Sequence, residues 1–388
     1  MTILEVTAVP FGPHHRGGGE SYPWRLAREL SRWEKVVSCF SYESESPDPG
    51  VPSHRIPARF LHAPPAFSPH NPLPTLATFR SIVDQLGARG DPPEFVHVHN
   101  LRTAMSATWL LLARLRRAQA GYKVLLTDHG ARWFPFPRMT AAVADYYVPV
   151  SEASLERLVR WAQRPSFVLP PGIPTDYPGL ARELRSYDAR EFDLVFFGRV
   201  VPWKRPDLAL RLARELAPQL GRTPRLAIAG SIQDPGFLKW LKTESVRLGL
   251  SDTVSFLPDP SDEAAVDLLG RSKLHLFLSA RTDVFGRRYP APELASATLL
   301  EAAACGTPTV CSDLPGAREQ LRPDRTGIVV SLEAWDATVA SVARLLADAE
   351  RWKGMSAGAR EFVRTERTYR VLAERFSGFL REVREGRR

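Results

Sequence analysis

Cysteine is scarce: Cys39, Cys305 and Cys311 are the whole complement. An odd number without metal-ligand spacing excludes a disulfide framework and a zinc ribbon. It predicts free, buried thiols in a reducing compartment. Also lacking is any apolar run of the ~18–20 residues that span a bilayer. The opening MTILEVTAVPFGP has no basic start and no small-residue cleavage site, so it reads as a first strand, not an export signal. There is no GxGxxG, no Walker loop and no repeat at solenoid period, which removes the dinucleotide, P-loop and solenoid readings.

What is present is an ordinary globular balance, 44% hydrophobic and 24% charged, over 388 residues. That length suits two domains better than one core. The net charge is +9. Divided near residue 172, it is 19 Lys+Arg against 14 Asp+Glu before, and 33 against 29 after. A spread positive charge favours anionic partners such as phosphorylated substrates or an acidic membrane surface. Nucleic acid is not expected, because no binding module or Lys/Arg-aromatic repeat accompanies the charge.

Both halves alternate short β-branched runs with longer helical patterns, the signature of parallel α/β sheets. Strands are expected at ILEVTAV, KVVSCF, FVHVHN, KVLLTDH and DYYVPVS, then at DLVFFGR, RLAIAGS, TVSFLP, LHLFLSA and TPTVCSD. Helices such as Ser21–Trp33, Asp207–Leu216 and Glu333–Ala349 fall between them. Leu169-Pro170-Pro171-Gly172-Ile173-Pro174 is a stiff linker and marks the boundary between domains 1–171 and 172–367. Phe376, Phe379, Leu380 and Val383 recur at helical spacing, giving a last helix over about 368–388. Residues 57–74, rich in Pro, Phe and His, read as a long functional loop.

Four segments carry candidate chemistry. In PELASATLLEAAACGTPTVCSD, Pro292 and Glu293 read as a helix start, and Gly306 with Pro308 as its end. Glu301 then lies in an apolar helix, where a carboxylate is costly without a partner. Eight positions separate the two acids, roughly 12 Å along a helix axis, the span between the sugar and the ribose of a nucleotide-diphosphate sugar. The helix N-terminus between them offers N–H groups and a positive dipole to a diphosphate. In FFGRVVPWKRPD a strand ends at Gly198 and Arg199 and Lys204 follow, cations placed to neutralise a diphosphate leaving group. Gly17-Gly18-Gly19 after the first strand lets backbone approach a ligand. His129 ends another strand beside Trp133, Phe134 and Phe136. Taken singly, each segment also has a plain structural reading, as a turn, a packed aromatic or a solvated cation.

In order, these pieces resemble the GT4 family of retaining glycosyltransferases, over nearly the whole chain. The resemblance runs from Gly17-Gly18-Gly19-Glu20 through Thr127–Gly130 and Pro170–Ile173 to Gly198-Arg199, Lys204 and Glu293-x7-Glu301. It implies the GT-B fold: two doubly wound, Rossmann-like parallel-sheet domains facing a central cleft. The first would be the acceptor side, with the last helix crossing back onto it; the second would bind the nucleotide sugar. It implies Arg199 and Lys204 on the donor diphosphate, Glu301 on the ribose, Glu293 on the transferred sugar and His129 against that sugar. It further implies Gly18 and Gly19 near the reaction centre, Phe256 and Leu257 beside the base, and Leu294 and Ala295 along the donor. No metal and no cofactor are implied, only a donor, with UDP- or GDP-sugar favoured. The acceptor is a glycan, a lipid-linked molecule or a small molecule.

Three departures from the family pattern stand out. Leu294-Ala295-Ser296 replaces the usual Gly-Phe-Gly, Arg205 replaces a Gly, and Pro171 replaces an Asn. The stretch Arg281–Pro292, with Arg287, Arg288 and Tyr289, is unusual for the family and suggests that Arg287 or Arg288 contacts an unusual or acidic sugar or acceptor. Residues 101–118 form a basic amphipathic pattern, which leaves open peripheral contact at the inner face of a membrane for an otherwise cytoplasmic protein. Two other readings compete. One is a non-catalytic sugar-nucleotide binder; the other is a metal-dependent hydrolase built on His97 and His99, which share a strand face, with Asp128 and His129.

Overall fold

The computed structural model describes residues 1–7, 18–40, 53–55, 72–99, 113–115, 117, 120–129, 141–289 and 292–388. They divide into two compact units. One comprises Met1–Pro171 with Tyr369–Arg388, the other Gly172–Thr368.

The first unit is built on six parallel strands: β1 (Thr2–Thr7), β2 (Lys35–Phe40), β3 (Ser53–Arg55), β4 (Phe95–His99), β5 (Lys123–Thr127) and β6 (Tyr146–Tyr147). Their order is β3-β2-β1-β4-β5-β6. One face carries Leu4, Val6, Val96, Val98, Val124 and Leu126, packed against Ile82, Val83 and Leu86 of the Pro72–Ala88 helix. The opposite face is different in kind, because Glu5, His97, His99 and Thr127 lie on it, all buried. The Tyr369–Arg384 helix closes over that face, setting Phe376 5.5 Å from the His97 ring. It also packs along the Gly18–Leu30 helix.

The second unit repeats the topology. Strands β7 (Phe192–Phe197), β8 (Leu226–Gly230), β9 (Val254–Pro258), β10 (Ser272–Phe277), β11 (Thr309–Ser312) and β12 (Gly327–Val330) form a parallel sheet. The order is β12-β11-β10-β7-β8-β9. Its core joins Leu194, Phe196, Ile228, Leu274 and Leu276 of the sheet to Leu208, Leu212 and Leu216 of the Pro206–Leu220 helix and to Trp335, Val339 and Val342 of the Trp335–Ala347 helix.

In each unit the strand order reverses between the first and fourth strands, at β1/β4 and at β7/β10. Ligands of open α/β sheets bind at such switch points, beyond the strands' carboxyl ends. Close packing at the β7 and β8 ends is enforced by glycine: Gly230 has φ +138°, and a Cβ there would lie 1.7 Å from the Gly198 carbonyl oxygen.

All ten expected strands are present. Two more, β3 and β12, three and four residues long, were not expected from the sequence. The expected Glu333–Ala349 helix is the shorter Trp335–Ala347, and a separate Ala349–Glu366 helix follows it. Within the expected 57–74 loop, Pro72 already opens the Pro72–Ala88 helix; residues 56–71 lie outside the described residues. Most of the basic 101–118 pattern, Trp133, Phe134 and Phe136 also lie outside them. Among the described residues, no helix is long and apolar enough to cross a membrane.

Candidate active site

The second unit gathers most of the expected donor residues at the β7/β10 switch point. Gly198 follows β7, and the chain turns through the 3-10 segment Pro202–Lys204 before the next helix. The turn depends on Arg205, which adopts a left-handed backbone at φ 56°. Its guanidinium is held by Asp207 at 2.9 Å and donates to the Thr282 carbonyl at 3.3 Å. That is why a side chain stands where a glycine was expected. Lys204 points back under Gly198, and its Nζ lies 2.6 Å from Oε1 of Glu293. The Ser279 hydroxyl, just past β10, donates to the same oxygen at 3.4 Å. The Lys204 ammonium also lies 5.1 Å from the centre of the Phe277 ring.

One local expectation is corrected. The helix starts at Ala297, not at Pro292–Glu293, and runs to Ala304. Glu293 and Leu294 precede it in irregular chain, because the Leu294 backbone lies against Gly316, where a Cβ would be 2.3 Å from the Leu294 oxygen. The packing of two backbones outweighs the Pro-Glu start signal. Ser296 is the N-cap residue, yet its side chain does not cap the helix and pairs with Thr298 at 3.0 Å. The amides of the first turn are therefore not held by the cap side chain. They fall between Glu293 and Glu301 in sequence, and Glu301 is half-buried one turn on.

Arg199 is exposed, with its guanidinium 5.5 Å from the Trp203 ring. Trp203 lies 5.1 Å from Tyr289, and Arg287 lies 5.4 Å from Tyr289 on its own side. Arg281–Pro292 thus includes a hairpin leaning on the Lys204 turn. Its pivot is buried Asp283, which accepts from the backbone amides of Phe285 and Arg287, both at 2.9 Å, and from the Tyr289 hydroxyl at 3.1 Å. Phe256 and Leu257 lie on edge strand β9, Leu257 exposed.

In the first unit, Gly18 and Gly19 form the first turn of the Gly18–Leu30 helix, not a free loop, and Gly17 lies outside the described residues. His129 follows β5, half-buried. His97 Nδ1 is 3.2 Å from Glu5 Oε1, and His99 Nε2 is 2.6 Å from Glu5 Oε2. His97 Nε2 is 2.8 Å from the Thr127 hydroxyl, and His99 Nδ1 is 3.3 Å from His129 Nε2. Burial alone would raise the Glu5 carboxyl, but the positive field and hydrogen bonds of His97 and His99 bring it down to about 2. Burial, then the field of His97, lowers His99 to about 4 in spite of Glu5. Burial, with His99 and His97, holds His129 well below its usual range.

Glu5, His97 and His99 have donor atoms within 4.8 Å of one another, a spacing that a metal could use. Here those atoms are spent on each other and on Thr127, so the His97/His99 hydrolase reading gains no support from the geometry. Sequence reasoning missed Glu5, Ser279, Thr127 and Tyr22. Only Glu5 left a signal, as a lone acid in an apolar strand.

The comparisons fall on both units. The model described as Glycosyltransferase Family 4 matches residues 16–177, and that described as Glycosyl transferases group 1 matches residues 183–362. The chain belongs to the GT4 family of glycosyltransferases. It is similar to the D-inositol 3-phosphate glycosyltransferase of Rhodococcus jostii, 26% identical over 92% of this chain and 84% of that one. It is also similar to the GDP-mannose-dependent alpha-(1-6)-phosphatidylinositol monomannoside mannosyltransferase of Mycobacterium tuberculosis, 28% identical over 55% of each. Among solved structures, a glycosyltransferase from Rickettsia africae superposes with TM-score 0.70 at 18% identity, covering 98% of both chains. Anabaena Alr3699/HepE in complex with UDP superposes with TM-score 0.68 at 15% identity, covering 98% of this chain and 100% of that one. The fold of this GT4 enzyme is GT-B.

Proposed function

We propose that this GT4 enzyme transfers a sugar, with retention, from a nucleotide-diphosphate sugar to a hydroxyl of a phosphate-bearing acceptor. The observation that carries the reading is the Lys204–Glu293 contact of 2.6 Å at the β7/β10 switch point, beside helix amides that the Ser296 side chain leaves uncapped. In this reading, Arg199, Lys204 and those amides face the diphosphate, Glu301 takes the ribose and Glu293 the sugar. Phe256 and Leu257 border the base, Leu294 and Ala295 line the donor, and His129 meets the sugar. The glycosyl–oxygen bond to the diphosphate breaks as the acceptor oxygen bonds the anomeric carbon on the same face. The acceptor proton passes to the departing phosphate oxygen, and Lys204 and Arg199 balance the charge that develops there. The mechanism uses no metal and no protein nucleophile.

A phosphate-bearing acceptor is favoured by two considerations. The names of the relatives carry D-inositol 3-phosphate and phosphatidylinositol monomannoside, both phosphate-bearing. Arg287 and Arg288 stand exposed on the hairpin next to the Lys204 turn. An acceptor of the phosphatidylinositol kind would bring the enzyme to a membrane surface from the cytoplasm.

The test is calorimetric binding of UDP, GDP and ADP, without added metal, to wild type and to Glu301→Ala. Binding of one nucleotide that is lost in the variant supports the ribose role and names the base. Failure of all three to bind sinks the donor assignment.

A further inference from the structure

The first unit holds a row of polar side chains that the donor chemistry leaves unused. Glu5 pairs with His97 in the β1–β4 register, and His99 with Thr127 in the β4–β5 register. A buried carboxylate in a central strand costs several kcal/mol of desolvation unless its lone pairs are met. Three buried groups, Glu5, His97 and His99, therefore share one hydrogen-bond account, and it can be closed atom by atom.

The Thr127 hydroxyl has a single hydrogen, which it donates to the Val148 carbonyl at 2.7 Å. Towards His97 Nε2 it can only accept, so that nitrogen carries a proton. The Glu5 carboxylate accepts on both sides, from Nδ1 of His97 and from Nε2 of His99. His99 has then used its N–H inward, and its Nδ1 presents a lone pair to Nε2 of His129 at 3.3 Å. The two rings lie 19° from parallel with centroids 5.6 Å apart. The centroid separation exceeds the N–N distance by about the two ring radii, so the rings meet edge to edge, as an N–H···N bond requires. Tyr22 walls the pair, with its ring edge-on to His129 at 4.9 Å and to His99 at 6.0 Å. Its hydroxyl is anchored on the Leu169 carbonyl at 2.9 Å. Nδ1 of His129 makes no hydrogen bond among the described residues.

We propose that Glu5 and His99 are positioning residues for His129. The row Glu5–His99–His129 hands one N–H along each link, fixes His129 as its Nε2–H tautomer, and keeps Nδ1 as an acceptor for a hydroxyl of the bound sugar. A neutral imidazole in water exchanges between tautomers; which nitrogen holds the proton in a protein is set by what the other one meets. Here the order is imposed from the sheet outward, starting at the Glu5 carboxylate, which can only accept. The inference rests on the proposed placement of His129 at the sugar.

The test is nitrogen NMR on the full chain labelled with 15N-histidine, with the His129 signals assigned by their loss in His129→Gln. The expected result at neutral pH is a protonated Nε2 and a bare Nδ1 on His129, with a coupling across the hydrogen bond to His99 Nδ1. In His99→Phe, which keeps an aromatic ring but no acceptor, the coupling is lost and His129 shifts to a mixture of tautomers. A proton on Nδ1 of wild-type His129, no coupling to His99, or an unchanged His129 in His99→Phe would each overturn the relay. Should His99→Phe fail to fold, the wild-type tautomer and coupling decide alone. Addition of UDP-glucose or GDP-mannose is then expected to shift Nδ1. If neither sugar nucleotide shifts it while both bind, the sugar contact is wrong and the relay stands. If neither binds, it is the donor reading that has failed.

Discussion

Lys204 and Glu293 meet at 2.6 Å with only 8% and 7% of their side chains exposed, a nearly sealed ion pair where two strand ends diverge. Removing one partner of such a pair leaves an uncompensated buried charge, at a cost of about 3–5 kcal/mol, whereas replacing both by apolar residues is often neutral. Glu293→Ala and Lys204→Met should each lower the chemical-denaturation midpoint strongly, and Lys204→Met/Glu293→Leu should recover most of the loss. Nucleotide binding should not recover with it. A single variant as stable as wild type would show that the pair is not buried in solution.

The contact of Gly230 with Gly198 makes a second prediction. Gly230→Ala places a Cβ 1.7 Å from a backbone oxygen and forces an L side chain to φ +138°. A loss above about 4 kcal/mol is expected, in the range reserved for a named structural conflict. The control is Gly354→Ala, in the middle of the Ala349–Glu366 helix with nothing within 4 Å of its added methyl. That change should stabilise the protein by roughly 0.5–1 kcal/mol through helix propensity. Equal effects of the two in urea titrations would contradict the packing described for the β7 and β8 ends.

These two sites also show what a single sequence makes legible. Arg199 and Lys204 could be placed because an apolar, aromatic-rich run ending at Gly198 announces a strand end, and strand ends are where such sheets bind ligands. Glu301 was legible as an acid in an apolar helix. The true start of that helix was not: Pro292-Glu293 imitates a first turn, and only the approach of Leu294 to Gly316, residues of different elements, delays it to Ala297. Glu5 stood out only as a lone acid in an apolar strand, and its role was hidden for the same reason. Its partners lie 92 and 94 residues away and meet it across strands, through a register that no local pattern encodes. The hairpin within 281–289 likewise hangs on Asp283, whose three bonds are local in sequence but form only once the chain has turned.

That hairpin gives the third prediction. Arg287 and Arg288 are exposed, and neither forms an ion pair among the described residues. Were they to meet an acceptor phosphate, Arg287→Ala and Arg288→Ala would each raise the acceptor KM about tenfold, the equivalent of one charge-assisted hydrogen bond. The donor KM would stay near wild type. Asp283→Ala should give the same phenotype without touching either arginine, by releasing the turn that presents them. Acceptor kinetics unchanged in all three variants would dismiss the hairpin from substrate recognition.

The last prediction concerns acid. His99 and His275 are both buried, and burial brings each from 6.5 to about 4. For His99 the field of His97 adds to the burial. His275 is sealed in β10 with Nδ1 3.1 Å from the Thr309 hydroxyl. In the unfolded chain both bind a proton near pH 6.5; in the folded chain they refuse it until about 4. The unfolded state therefore holds more protons throughout that window, so stability is complete above pH 6.5 and is lost as pH falls through it. The shift of each group corresponds to about 3 kcal/mol on full titration, at about 1.4 kcal/mol per unit. Glu5, held down to about 2, extends the loss below the ordinary carboxylate range, because the unfolded chain takes up that proton first. Urea midpoints measured at pH 7, 5.5 and 4 should fall steadily. His275→Leu, which cannot take the proton, should flatten the slope between pH 6.5 and 4 without abolishing it, since His99 still titrates in the other unit. A wild-type midpoint that stays level across that window would mean that neither histidine is held neutral in the folded protein.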